Sequence, residues 1–230
     1  MTPNTEGRHA NPQVKGLTFV TARRFFTTHF GEDVYEGLVR ALPAGDQELF
    51  DNAQIDEWYD EHTLRRFIHE VYIQVAEADD AYFMQILREL ALAGVSRFFR
   101  VLINFASARF VLKKVPVVWD RLRRGPATLH AEVVDEETIR IHYDGFPFCG
   151  DRVYRMLSVC NCQALVVAAC KRVPECEVTE WTENSMVLQF TVPKSKGFSD
   201  EGDAPGSESS TDAGVQANAK TSSGDPMRIS

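Results

Sequence analysis

Between Gly16 and Gly125 the apolar residues recur mostly at three- and four-residue steps, and from Ala127 onward the pattern alternates for long stretches. In the first part, Phe25, Phe26 and Phe30 run up to Gly31, a helix stop, and Val34, Leu38 and Leu42 recur before Pro43 and Gly45. Leu64, Phe67, Ile68, Val71, Tyr72 and Val75 form one helical face. Phe83, Leu87, Leu90, Gly94, Phe98, Leu102 and Phe105 form a longer one. A further amphipathic stretch, Ala108 to Leu122, contains Pro116, which predicts either a kink or the start of a second short helix.

The last third changes period. Residues 127–133 and 138–143 alternate around Asp135-Glu136-Glu137, and residues 176–181 and 186–192 alternate around Thr-Glu-Asn-Ser. Between these hairpins, Gly150 to Arg172 is helical and nearly all apolar in its second half. Hairpin, helix, hairpin predicts an α+β fold: an N-terminal helical layer packed on a four-stranded, largely antiparallel sheet.

Composition changes this picture only at the ends. From Lys194 to Ser230 the chain is dominated by Gly, Ser, Asp, Pro and Ala, with Phe198 the lone aromatic. Such a segment buries too little apolar surface to offset its ordering entropy. We therefore expect a disordered N-terminus at 1–13, one α+β domain at 14–192 and a disordered tail at 193–230. The tail carries four basic and six acidic residues, so the body keeps most of the net charge of −8. An acidic chain is not expected to bind nucleic acid. No apolar run approaches the roughly 20 residues of a spanning helix, the opening MTPNTEGRHANPQ lacks the apolar core of a secretory signal, and five cysteines suit a reducing cytoplasm.

The stretches VKGLTFVTARRFFTTHFGEDVYEGLVRALP, Trp58-Tyr59, RFFRVLINFAS and above all ARFVLKKVPVVWDRLRRG resemble a myxobacterial paralogous family of unknown function, over roughly residues 14–192. That family in turn resembles the 4-vinyl-reductase, TRAPP-component and haem-NO-binding group of folds. The resemblance implies a small antiparallel sheet under a helical layer, frequent homodimers and in some members a ligand pocket, but no shared activity. The haem-NO-binding signature Tyr-x-Ser-x-Arg is absent at every tyrosine, and the closing Cys-x-Phe-x-x-Trp of the vinyl-reductase domains is replaced by Met-Val-Leu-Gln-Phe-Thr-Val. No cofactor is expected.

Cys149, Cys160, Cys162, Cys170 and Cys176 show no Cys-x-x-Cys knuckle, so core packing is expected rather than metal binding. Cys149 precedes a predicted helix start at Gly150-Asp151, where a thiol pKa can fall; a buried, inert thiol is nevertheless the expected state, with an activated thiolate as the alternative. His62 and His69 lie too far apart for an i, i+4 metal pair, and His130 and His142 occupy polar phases that can face each other across the first hairpin. No nucleophile elbow, P-loop or dinucleotide fingerprint is present, and no enzymatic activity is expected.

Charge is segregated. Asp46 to Glu61 holds seven acidic and no basic residues, together with Trp58 and Tyr59. Residues 109–124 hold Arg109, Lys113, Lys114, Arg121, Arg123 and Arg124 against Asp120, together with Trp119. Read as contact surfaces, these residues predict a non-enzymatic, cytoplasmic, regulatory protein-interaction module, self-associating as a homodimer. Peripheral membrane contact is not expected, because Pro116 interrupts the apolar face. The alternative is a small-molecule sensor holding an apolar ligand between helices and sheet, in a pocket lined by Phe98, Phe105, Phe146, Phe148 and Cys149.

Overall fold

The computed structural model describes residues 11–98 and 107–192. The tail expected at 193–230 and the first ten residues lie outside that range, as do Phe105 and the side chain of Phe98.

The order begins β1 (Gln13–Lys15), α1 (Leu17–His29), α2 (Glu32–Arg40), α3 (Ala44–Asn52), β2 (Trp58–Asp60) and α4 (Glu61–Glu70). A π turn (Val71–Val75) leads to α5 (Asp80–Phe98), and beyond the undescribed segment come α6 (Ala108–Lys113), α7 (Val115–Leu122) and β3 (Arg123–Arg124). The last part is β4 (Thr128–Val133), β5 (Thr138–Asp144), α8 (Arg152–Cys170), β6 (Glu175–Trp181) and β7 (Ser185–Thr191). Pro116 starts a second helix rather than kinking one: it sits in the first turn of α7, where a missing N–H costs nothing.

The fold is α+β, with the expected hairpins and central helix within a residue or two of their predicted limits. The four-stranded sheet has the order β4-β5-β7-β6 and is antiparallel throughout. Its inner face presents Ile139, Ile141, Tyr143, Met186, Leu188 and Phe190, all buried, to α8. Helix α8 is long and apolar enough to cross a membrane by composition, yet most of it is covered by the sheet on one side and α5 on the other. Asp151 starts it, accepting hydrogen bonds from the backbone N–H groups of Val153 and Tyr154.

A second, three-stranded sheet, β2-β1-β3, is too short to leave a period-two signal in the sequence. Gln13 of β1, inside the stretch expected to be a tail, pairs with Asp60 on one side and Arg124 on the other. Gly16 leads out of this sheet into α1. A side chain there would occupy the position of the Gln54 carbonyl oxygen, so only glycine permits the close approach.

Candidate functional site

The helical layer and the sheet enclose a half-open cavity of about 130 Å³. Helix α1 contributes Leu17, Thr18, Thr21 and Ala22, and α5 contributes Leu87, Leu90, Ala91, Gly94 and Val95. Leu64 and Ile68 come from α4, Val115, Val118, Trp119 and Leu122 from α7, and Tyr143 from β5. From α8 come Leu157, Asn161 and Leu165, spaced four apart on one face, with Cys162 beside them. The wall is overwhelmingly apolar. Its size is close to the ~150 Å³ hole that holds one benzene and below the roughly 300–1,000 Å³ of sites for drug-sized ligands.

Besides the Thr18 and Thr21 hydroxyls, three polar features interrupt the wall. Arg123 is the cation at its edge, and it is neutralised: Nε donates to Glu61 Oε1 at 2.7 Å, with side-chain exposures of 10% and 1%. Burial disfavours the Arg123 charge, but Glu61 more than compensates, and its pKa stands above the ordinary arginine value. Tyr154 Oη donates to the same Glu61 oxygen at 2.8 Å. The second feature is a contact of 3.6 Å between Tyr143 Oη and Cys162 Sγ. Burial pushes the Cys162 thiol up to about 11 and lifts Tyr143 well above 10, so both stay protonated at neutral pH. The third is Asn161, whose amide has no hydrogen-bond partner among the described residues. In the sequence, the signal for this residue is a polar side chain within the apolar stripe Leu157, Asn161, Leu165.

The residues expected to form contact surfaces are mostly engaged within the chain. Trp119 is core, edge-on to Tyr143 and Phe146 with Arg123 over its ring at 4.6 Å. Trp58 lies beneath Lys15 and Arg124, and Arg124 Nε donates to Gln13 Oε1. Tyr59 packs edge-on against Phe19 and its hydroxyl accepts from the Gln54 N–H. Arg109 donates to the carbonyls of Asp135 and Glu136 in the β4–β5 turn. Lys113, Lys114 and Arg121 are exposed. The acidic run is engaged only in part: Asp46, inside the unforeseen helix α3, takes hydrogen bonds from Thr63 and Arg66, while Glu48, Asp51, Asp56 and Glu57 are exposed.

Of the aromatic residues expected to line a pocket, Phe146 and Phe148 are described, and neither is in the cavity wall. Phe146 and Phe148 are buried against each other and against Tyr154, in the core beside it. Cys149 is also fully buried, and burial pushes its thiol up to about 12, the reverse of an activated nucleophile. This agrees with the inert thiol expected there, and the neighbouring helix start is already served by Asp151, which also holds Arg65 at 2.5 Å and His69 Nε2 at 2.7 Å. His130 and His142 do face each other across the hairpin, with rings stacked at 4.3 Å.

No family model and no curated protein matches the chain. Solved structures do. The Fe(II) unliganded H-NOX protein from K. algicida matches with a TM-score of 0.57 at 10% identity, over 80% of this chain and 99% of that one. A mutant H-NOX from T. tengcongensis matches at 0.55 and 15% identity, over 77% and 96%. An oxygen-binding H-NOX domain related to soluble guanylate cyclases matches at 0.54 and 14%, over 77% and 94%. The fold is H-NOX-like.

H-NOX proteins of known structure include ones studied for distortion of their haem, so the cavity was tested for that group. The donor set does not fit. Among the described residues no histidine or methionine lines the cavity, and its one thiol and one phenol are protonated and paired. His62 faces the Phe148 ring, His69 faces Asp151, His29 bonds the Phe25 carbonyl, and His130 and His142 lie on the sheet's outer face. Residues 99–106, FRVLINFA followed by Ser107, contain no histidine, cysteine, methionine or tyrosine. The volume is also far below that of a porphyrin.

Proposed function

We propose that this protein is a non-enzymatic small-molecule sensor, a regulatory module that keeps the H-NOX-like fold and binds an apolar ligand without haem. The observation that carries the reading is the cavity itself, whose wall is assembled from α1, α4, α5, α7, α8 and both sheets. A ligand there touches every layer, so its binding energy acts on their relative packing, as a ligand-biased two-state element requires. The H-NOX neighbours, one of them described as oxygen-binding, support a sensing role on this architecture. The interaction-module reading has less behind it. Arg123 and Glu61, one from each charged run, satisfy each other in cis, and Trp119 is buried.

Thermal unfolding of the full chain with a panel of small apolar molecules, and with ferric haem as a comparison, tests the proposal. Compounds of roughly one ring are expected to raise the melting temperature, by linkage, and to lose that effect in Ala91→Phe, which fills the cavity. Haem is expected to give no axially ligated spectrum. Stabilisation by none of the panel, or equal stabilisation of Ala91→Phe, would overturn the reading.

A further inference from the structure

The ligand chemistry can be narrowed further, on the reading of the cavity as a ligand site. We infer that the cavity selects a neutral molecule of about one six-membered ring, bearing a single hydroxyl or carbonyl group that hydrogen-bonds the Asn161 amide. Three independent observations support this. The volume of about 130 Å³ sets the size. Arg123, the charged residue of the wall among the described residues, is held by Glu61 at 2.7 Å, so these residues offer no net charge to offset an ionised ligand, whose desolvation would go uncompensated. Asn161 sits in the apolar stripe between Leu157 and Leu165, with both donor and acceptor capacity and no partner among the described residues. Across the cavity, the Thr18 and Thr21 hydroxyls of α1, which have no side-chain hydrogen-bond partner among the described residues, offer a second, weaker contact for a longer ligand.

The test is calorimetric titration of the full chain with toluene, benzyl alcohol, benzoate and protonated benzylamine. These share a ring and differ in the hydrogen-bonding group and charge. Benzyl alcohol is expected to bind about five- to tenfold more tightly than toluene, the increment of one net hydrogen bond. In Asn161→Leu, and independently in Asn161→Ala, that preference disappears while toluene still binds. Benzoate and benzylamine are expected to bind at least tenfold more weakly than the alcohol. Equal binding of toluene and benzyl alcohol to the wild-type chain, a preference surviving in both variants, or tighter binding of either ion would each overturn the inference while leaving the cavity as a ligand site. Binding of none of the four would remove the sensor reading along with it.

Discussion

Arg123 and Glu61 form a buried ion pair, Nε to Oε1 at 2.7 Å, that ties β3 to the first turn of α4, and the Tyr154 hydroxyl on α8 bonds the same oxygen. Two charges at such burial are costly apart and tolerable together. Removing one partner by Arg123→Met or Glu61→Met is expected to cost about 3–5 kcal/mol, because the other charge is left uncompensated. The double variant is expected to recover most of that loss. Urea unfolding of the four proteins provides the check, and simply additive losses would mean the pair is not coupled.

Asp151 governs the acid side of stability. Burial alone would raise its pKa, but hydrogen bonds from His69 and Arg65, and then from the Tyr154 N–H, bring it below the ordinary carboxylate value. A folded pKa below the unfolded one stabilises the protein above the unfolded value of about 4 and is lost as pH falls through the folded value. Asp151→Asn keeps the helix cap but loses the charge that accepts from Arg65 and His69, and is expected to cost about 1–3 kcal/mol at neutral pH. Its deficit against the wild type should shrink as pH falls below about 4, as measured by denaturation at a series of pH values. A constant deficit would show that the charge does not matter.

Thiol chemistry should follow burial. Cys149, Cys160 and Cys162 are buried, and burial raises them to about 12, 12 and 11. Iodoacetamide on the native protein is expected to label the half-buried Cys170 first and those three only on unfolding, as located by peptide mass spectrometry. Fast labelling of Cys149 would restore the helix-start thiolate that the sequence offered as the alternative.

Gly94 in the interior of α5 tests the cavity from the stability side. A Cβ placed there meets the Thr21 methyl at 3.6 Å, an ordinary contact. Gly94→Ala is therefore expected to stabilise the fold by about 0.5–1 kcal/mol through helix propensity while narrowing the cavity and weakening ligand binding. Chemical denaturation and ligand titration of one variant would show the two effects moving in opposite directions.

The parts of the fold that the sequence displays are those whose burial repeats. β5 and β7 alternate strictly because one face of each lies under α8, and Leu64, Phe67 and Ile68 keep helical spacing because one face of α4 is core. The three-residue strands β1 and β2 and the two-residue β3 are too short to show a period, and only the finished structure brings Gln13 beside Arg124. The site was less legible for the same kind of reason. Following the phenylalanines led to Phe146 and Phe148, which are buried in the core beside the cavity rather than in its wall. The cavity lies instead where small side chains, Ala22 on α1 and Ala91 and Gly94 on α5, meet across two helices, and no local pattern reports a gap. The charged runs read as outward surfaces because linear sequence does not show that Arg123 and Glu61 meet.

The pairing of Gln13 with Arg124, 111 residues apart, also bears on the order in which the chain assembles. Both hairpins and every helix close through far shorter loops, and the entropy lost on closure grows with loop length. The pocket wall needs α1 behind β1 and α7 ahead of β3, so it is complete only when that long loop has shut. A ligand therefore has nothing to bind until the last stage of folding. Its presence should leave the refolding rate unchanged and slow unfolding, so that occupancy is recorded as the lifetime of the native chain.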